Sequence, residues 1–126
     1  MPTQEVLTWA QFDNAVDIIV EKLRVYEGQF DSIYGIPRGG LVLAVALSHR
    51  LGVPLANTCH QDSLVVDDIS DSGNTLFPFQ RRGHVIATIH LVPATRVHPD
   101  IWVYVRRADW VTYPWEKGGN HVDGSS

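Results

Sequence analysis

Two stretches of this chain place chemically useful residue types in an ordered run. The longer one reads Leu64-Val65-Val66-Asp67-Asp68-Ile69-Ser70-Asp71-Ser72-Gly73-Asn74-Thr75. Adjacent carboxylates at the end of an apolar stretch repel each other and resist burial, and binding hydroxyls or a metal-bound ligand relieves both costs. Ser72, Gly73, Asn74 and Thr75 follow with hydroxyls and backbone N–H groups at an expected helix start, a combination suited to a phosphate. The plainer reading is an acidic surface turn with a helix cap. The fixed order of apolar strand, paired acids and cradle favours a ligand site. The second stretch is Ile36-Pro37-Arg38-Gly39-Gly40. Its glycines let backbone amides approach a ligand, and Arg38 adds a fixed charge with forked donors. Alone it is ordinary turn chemistry.

Other reactive types carry less. His49, His60, His84, His90, His98 and His121 share no metal-ligand spacing and read as packing or surface residues, with His49 on a buried helix. Cys59 reads as a small hydrophobe rather than a nucleophile. Trp102 and Tyr104 alternate with Val103 and Val105, the pattern of strand packing or an interface. Trp110 is the aromatic with the best claim to a functional role, since an aromatic face suits stacking on a planar ring.

The elements that must position these residues follow from periodicity. Thr8 and Gln11 form a capping-box pattern ahead of an apolar stripe at Phe12, Val16, Ile19, Val20 and Leu23, so a helix runs toward Gly28. Strands are expected at Ser32–Ile36, Val53–Asn57, Ser63–Val66, Val85–Leu91 and Ile101–Val105. A helix apolar nearly all round, hence buried, is expected at Leu41–Leu51, and a short one from about Asn74 to Arg82 with Pro78 in its first turn. Trp110–Trp115 reads as irregular. Helices alternating with Val/Ile-rich strands indicate an α/β fold with a parallel sheet covered on both faces. Such sheets bind ligands at the carboxyl ends of strands, near a switch in strand order.

The chain has 126 residues, enough for one domain over residues 1–117 with a polar, Gly-rich tail at 118–126. Ten basic against 14 acidic residues give a net charge of −4, against the basic excess of a general nucleic-acid binder. The single cysteine excludes an internal disulfide, and no apolar run is long enough to cross a bilayer. No signal-peptide pattern is visible at the start. These features read as a soluble cytoplasmic protein.

The Val65–Thr75 run resembles the ribose-phosphate signature of type I phosphoribosyltransferases, and Pro37-Arg38-Gly39-Gly40 resembles that family's pyrophosphate loop. Thr8-Trp9, Arg38–Val42 and Trp110–Glu116 are most similar to the bacterial xanthine-guanine members. The resemblance implies a type I phosphoribosyltransferase-like domain with flanking helices, purine salvage from 5-phosphoribosyl 1-pyrophosphate, Mg2+ and a homodimer. It implies that Asp67 and Asp68 bond the ribose hydroxyls, directly or through magnesium, and that Asp71 faces N7 of a purine. Ser70, Ser72, Gly73, Asn74 and Thr75 would hold the ribose phosphate, and Arg38 and Gly39 the pyrophosphate. Trp110 would stack on the base, with the backbone near Val111 reading its edge.

The chain departs from that pattern twice. Only Thr58-Cys59-His60-Gln61-Asp62 stands where the family carries a long flexible loop, and Val92 stands where purine enzymes carry a lysine. Arg96 is the nearest cation in sequence that could substitute. These departures motivate an alternative, a non-catalytic module that binds nucleotide or phosphoribosyl pyrophosphate. A phosphoacceptor receiver domain fits poorly, because the acids share one loop and no lysine but Lys117 follows a late strand.

Overall fold

The computed structural model describes residues 2–116; Met1, Lys117 and the expected tail at 118–126 lie outside the described residues. The elements in chain order are β1 (Gln4–Val6), α1 (Trp9–Lys22), a 3-10 turn (Leu23–Tyr26), β2 (Ser32–Gly35), α2 (Leu41–Leu51), β3 (Ser63–Ser70), α3 (Phe77–Arg81), β4 (Ile86–Leu91), β5 (Tyr104–Val105) and β6 (Trp110–Thr112). The capping box holds: Thr8 Oγ1 accepts from Gln11 N at 3.1 Å and Gln11 Oε1 from Thr8 N at 2.9 Å. It satisfies donors that the first turn of α1 would otherwise leave free.

Four strands form a parallel sheet in the order β2-β3-β4-β5, and β1 pairs with β6 in a separate parallel pair. Side-chain alternation along β3 feeds two cores. Leu64 and Val66 join Phe12, Val16 and Ile19 of α1 and Leu43 and Leu47 of α2. Val65 joins Ile36, Leu76, Ile86 and Val97 on the other face. Both faces are covered, as a parallel sheet requires.

Several boundaries differ from the sequence reading. The expected strand at Val53–Asn57 shrinks to a bridge between Leu55 and Ile33. Leu55 follows β2 in sequence yet lies on its far side from β3, so chain order reverses between β2 and β3. That is where an open α/β sheet leaves a crevice. Of Ile101–Val105, only Tyr104–Val105 forms a strand, preceded by a bridge from Ile101 to Ala87. At its start a side chain enters the ladder, because Asp100 Oδ2 accepts the Ile86 N–H at 2.9 Å. The helix expected from Asn74 begins at Phe77, with Pro78 in its first turn as read. Ser72 Oγ accepts the Asn74 N–H at 3.1 Å and Gly73 O accepts that of Phe77 at 2.9 Å, which hold residues 72–76 in a turn.

Trp110–Thr112 is a strand rather than irregular, and its partner β1 was not expected at all. The helix α2 is not buried all round: Leu43, Ala44 and Leu47 face the sheet, whereas Leu41 and Val45 are 44% and 43% exposed and His49 is exposed. No helix among the described residues is long and apolar enough to cross a membrane.

Candidate active site

The strand β3 runs four residues beyond Val66, so Asp67 and Asp68 lie inside it rather than after it. Asp67 is 9% exposed. Its Oδ1 accepts the Asp68 N–H at 2.8 Å. Burial, and then the neighbouring Asp68 carboxylate, push Asp67 up to about 8. Burial likewise raises Asp68, with Glu116 adding to the rise. The pair is short of positive partners, the condition the sequence predicted.

The Pro37–Gly40 loop is pressed against this pair. A Cβ on Gly39 would lie 2.5 Å from Asp68 Oδ2, and one on Gly40 would collide with Val66 O. Only glycine allows the loop to come this close. The Pro37–Arg38 peptide is cis. The Arg38 side chain is exposed and makes no ion pair with a described residue.

A hollow of 170 Å³ is lined by residues 67–73 with Thr75 and Leu76. Gly73 has φ +87°, and a Cβ there would strike Thr95 Oγ1, Arg96 Cγ and Val97 N, each at 2.7 Å. Among the described residues nothing accepts the backbone N–H of Ser72, Gly73 or Thr75. Three free donors around a small hollow form an anion cradle. Ser70 is buried, and its hydroxyl donates to Val97 O at 2.7 Å and sits 2.8 Å from Thr95 Oγ1. It ties the cradle to the 95–97 loop. Larger hollows of 310 and 590 Å³ lie elsewhere and lack such a cradle.

On the other side stand β6 and the segment after it. Trp110 is 39% exposed, and Val111 is half-buried opposite Glu5. Tyr113 brings this segment to the acids by donating to Asp68 O at 3.3 Å. Its hydroxyl also lies 2.9 Å from His90 Nδ1. Burial, reinforced by Asp68, Asp67 and nearby glutamates, holds Tyr113 well above the usual phenol range. Burial lowers His90 to about 4. Both are neutral at physiological pH, and with the phenol proton on Asp68 O the imidazole is the donor at Nδ1. No direct bond joins Trp110, Val111 or Arg38 to the acids.

No protein-family model matches the sequence. A xanthine-guanine phosphoribosyltransferase of Chromohalobacter salexigens is 27% identical over 146 residues, covering 95% of this chain and 88% of that protein. A crystal structure of a purine phosphoribosyltransferase from Pyrococcus horikoshii is 34% identical with a TM-score of 0.76, covering 90% of this chain and 94% of that one. The chain belongs to the purine phosphoribosyltransferase family. The xanthine-guanine-hypoxanthine phosphoribosyltransferase of Helicobacter pylori shares the fold, with a TM-score of 0.79 at 18% identity over 97% of this chain and 99% of that one.

The β5–β6 side of this phosphoribosyltransferase contains contacts that sequence reasoning passed over. Arg106 Nη1 lies 3.2 Å from Asp71 Oδ2. The buried pair His90–Tyr113 was missed: His90 was read as a packing or surface residue and Tyr113 was not singled out. An aromatic tyrosine three residues past Trp110 was the one available signal for it. Arg96 turns toward α3 and the 72–76 turn: its guanidinium carbon lies 3.7 Å from the Phe77 ring centroid, and its Nη1 donates to Asn74 Oδ1 at 3.1 Å. Val92 is tied by its N–H to Ser70 O at 3.0 Å and offers an apolar side chain. Burial raises the Cys59 thiol, against a role as nucleophile, and His84 Nε2 lies 3.5 Å from its sulfur.

Proposed function

We propose that this chain transfers the 5-phosphoribosyl group from 5-phosphoribosyl 1-pyrophosphate to a purine base of the guanine, xanthine or hypoxanthine class, releasing pyrophosphate. The observation that carries the reading is the continuous edge from Asp67 and Asp68 into the donor cradle of Ser72–Thr75, with Gly39 packed on Asp68. The paired acids hold the two ribose hydroxyls, which give hydrogen bonds to carboxylates that have no cationic partner among the described residues. Ser72, Gly73, Asn74 and Thr75 hold the 5′-phosphate. Ser70 serves that cradle through Thr95 and Val97. Arg38 and the Gly39 amide hold the pyrophosphate.

The residues present fit magnesium of an indirect kind. Among the described residues no cluster of three or more His, Cys, Asp or Glu could hold a metal by itself. A hard cation that keeps its waters uses one or two carboxylates plus substrate phosphates, and Asp67 with Asp68 supply the carboxylate share. When bound, the ion neutralises charge growing on the leaving pyrophosphate.

The reacting carbon takes on oxocarbenium character as pyrophosphate leaves and the base nitrogen attacks. Arg38 stabilises the leaving group's charge, and preorganised electrostatic stabilisation of this kind usually contributes most to the rate. Asp71, at the rim of the hollow, accepts the proton associated with N7, worth about 10²–10⁴-fold. Trp110 stacks on the base, and the backbone at Val111 reads its edge beside the apolar Val92. A homodimer built on the exposed face of α2 and a cytoplasmic location complete the proposal. The first is supported by Leu41 and Val45, the second by the lone cysteine.

The test is an absorbance assay with the sugar substrate, magnesium and each of guanine, xanthine, hypoxanthine and adenine. Nucleotide is expected from at least one 6-oxopurine. No nucleotide from any base refutes the transferase reading, and calorimetric binding without turnover identifies the non-catalytic module instead.

A further inference from the structure

A hollow of 310 Å³ lies between the β5 edge of the four-stranded sheet and the β1–β6 pair, lined from β1 by Glu5 and Val6 and from β5 by Tyr104 and Val105. It shares no lining residue with the hollow beside the acids. Its size is at the lower end of small-molecule pockets, about 300–1,000 Å³. One polar group reaches it from the interior. His90 is 2% exposed, and its ring makes one hydrogen bond among the described residues, at Nδ1. No buried side-chain nitrogen or oxygen among them lacks a partner. Nε2 therefore touches open space, and this hollow is the space that His90 lines.

Tyr113 fixes what Nε2 can do. The phenol proton goes to Asp68 O at 3.3 Å, so the phenol oxygen, 2.9 Å from Nδ1, accepts the imidazole proton. Burial keeps the ring neutral. A neutral imidazole protonated at Nδ1 can only accept at Nε2. Glu5 adds a second acceptor. Its Oε1 takes the N–H groups of Arg107 at 2.6 Å and Ala108 at 3.1 Å, and its Oε2 has no partner among the described residues. Arg107 also lines the hollow, is exposed, and makes no ion pair with a described residue, so its charge offsets that of Glu5. Trp102 and Tyr104 supply aromatic walls. The Tyr104 hydroxyl is spent on Gln11 O at 3.1 Å.

We propose that this hollow is a second ligand site, for a small neutral heteroaromatic molecule whose ring N–H donates to His90 Nε2. A donor at that point meets a deeply placed acceptor, which a purely apolar ring leaves unmet. The lining charges cancel, so a charged ligand gains no net attraction to offset its desolvation. A metal ion finds no set of three ligating side chains among the described residues. The site stands apart from the proposed transfer reaction and does not depend on it.

Indole, with one N–H donor, and N-methylindole, which lacks it, are the probes. Titrations of the full chain followed by nitrogen NMR are expected to show saturable indole binding that shifts the His90 Nε2 signal. N-methylindole is expected to bind about threefold to tenfold more weakly, the size of one hydrogen bond. His90→Phe keeps a buried ring and removes the acceptor, and is expected to bring indole down to the level of N-methylindole. Val6 is 60% exposed, so Val6→Trp fills the hollow from its rim without entering the core, and is expected to abolish binding of both probes. This second variant decides the question if melting temperatures show that His90→Phe does not fold. Saturating inosine 5′-monophosphate is expected to leave indole binding unchanged, whether or not the chain makes nucleotide. No saturable binding, equal affinity for the two probes, displacement by the nucleotide, or binding untouched by Val6→Trp overturns the site.

Discussion

Asp67 and His90 make opposite demands on pH. Asp67 is raised from 3.8 to about 8, so its stabilising contribution is whole below pH 3.8 and is lost as pH rises through about 8. His90 is lowered from 6.5 to about 4, so its contribution is whole above pH 6.5 and is lost as pH falls through about 4. Asp67→Asn removes the first demand while keeping the shape. The variant is expected to gain stability on wild type as pH rises from about 5 to about 9, by about 1–3 kcal/mol, the cost of an unmet buried polar group. Denaturant melts across that range check it, and a difference independent of pH contradicts the shift. The acids, the cradle and the glycine loop were legible because their chemistry is local and ordered in sequence. The Asp71–Arg106 and His90–Tyr113 pairs were not, because each joins side chains of residues far apart in the chain. Ser70 shows the same limit, since its hydroxyl is taken by Thr95 and Val97.

The main helices and central strands were legible from caps and periodicity. The β1–β6 pair escaped because neither three-residue strand carries a pattern of its own. Its stability comes from side chains at its ends. Glu5 Oε1 accepts the N–H groups of Arg107 at 2.6 Å and Ala108 at 3.1 Å, and Asp109 Oδ2 accepts that of Thr3 at 2.7 Å. The Gln4 side chain bonds Thr112 Oγ1. These contacts fix the segment bearing Trp110 and Val111, while the edge from Asp67 to Thr75, proposed to hold the sugar phosphate, depends on β2, β3 and the loops after them. Deleting residues 2–6 is therefore expected to raise the KM for the base by about tenfold, the factor that 1.4 kcal/mol brings, and to leave sugar-substrate binding by calorimetry largely intact. Equal loss of both affinities contradicts this division of labour.

In the whole molecule the two halves of the site sit on differently built supports, a four-stranded sheet and a two-stranded pair. Tyr113, donating to Asp68 O at 3.3 Å, joins the segment after the pair to β3 of the sheet. Apolar Leu41 and Val45 face outward from α2, beside Val42 and Ala46. Burying such a face is favourable at roughly 25 cal/mol per Å². Sedimentation velocity is expected to show a wild-type dimer and a Val45→Glu monomer; a wild-type monomer contradicts the proposed dimer. The pairing of β1 with β6 also has a consequence for synthesis. The first strand made finds its partner only when Trp110–Thr112 emerge, after every strand of the larger sheet exists. A nascent chain can thus complete the edge from Asp67 to Thr75 well before the Trp110 segment is anchored. Any product released short of Thr112 leaves Gln4–Val6 with an unpaired edge.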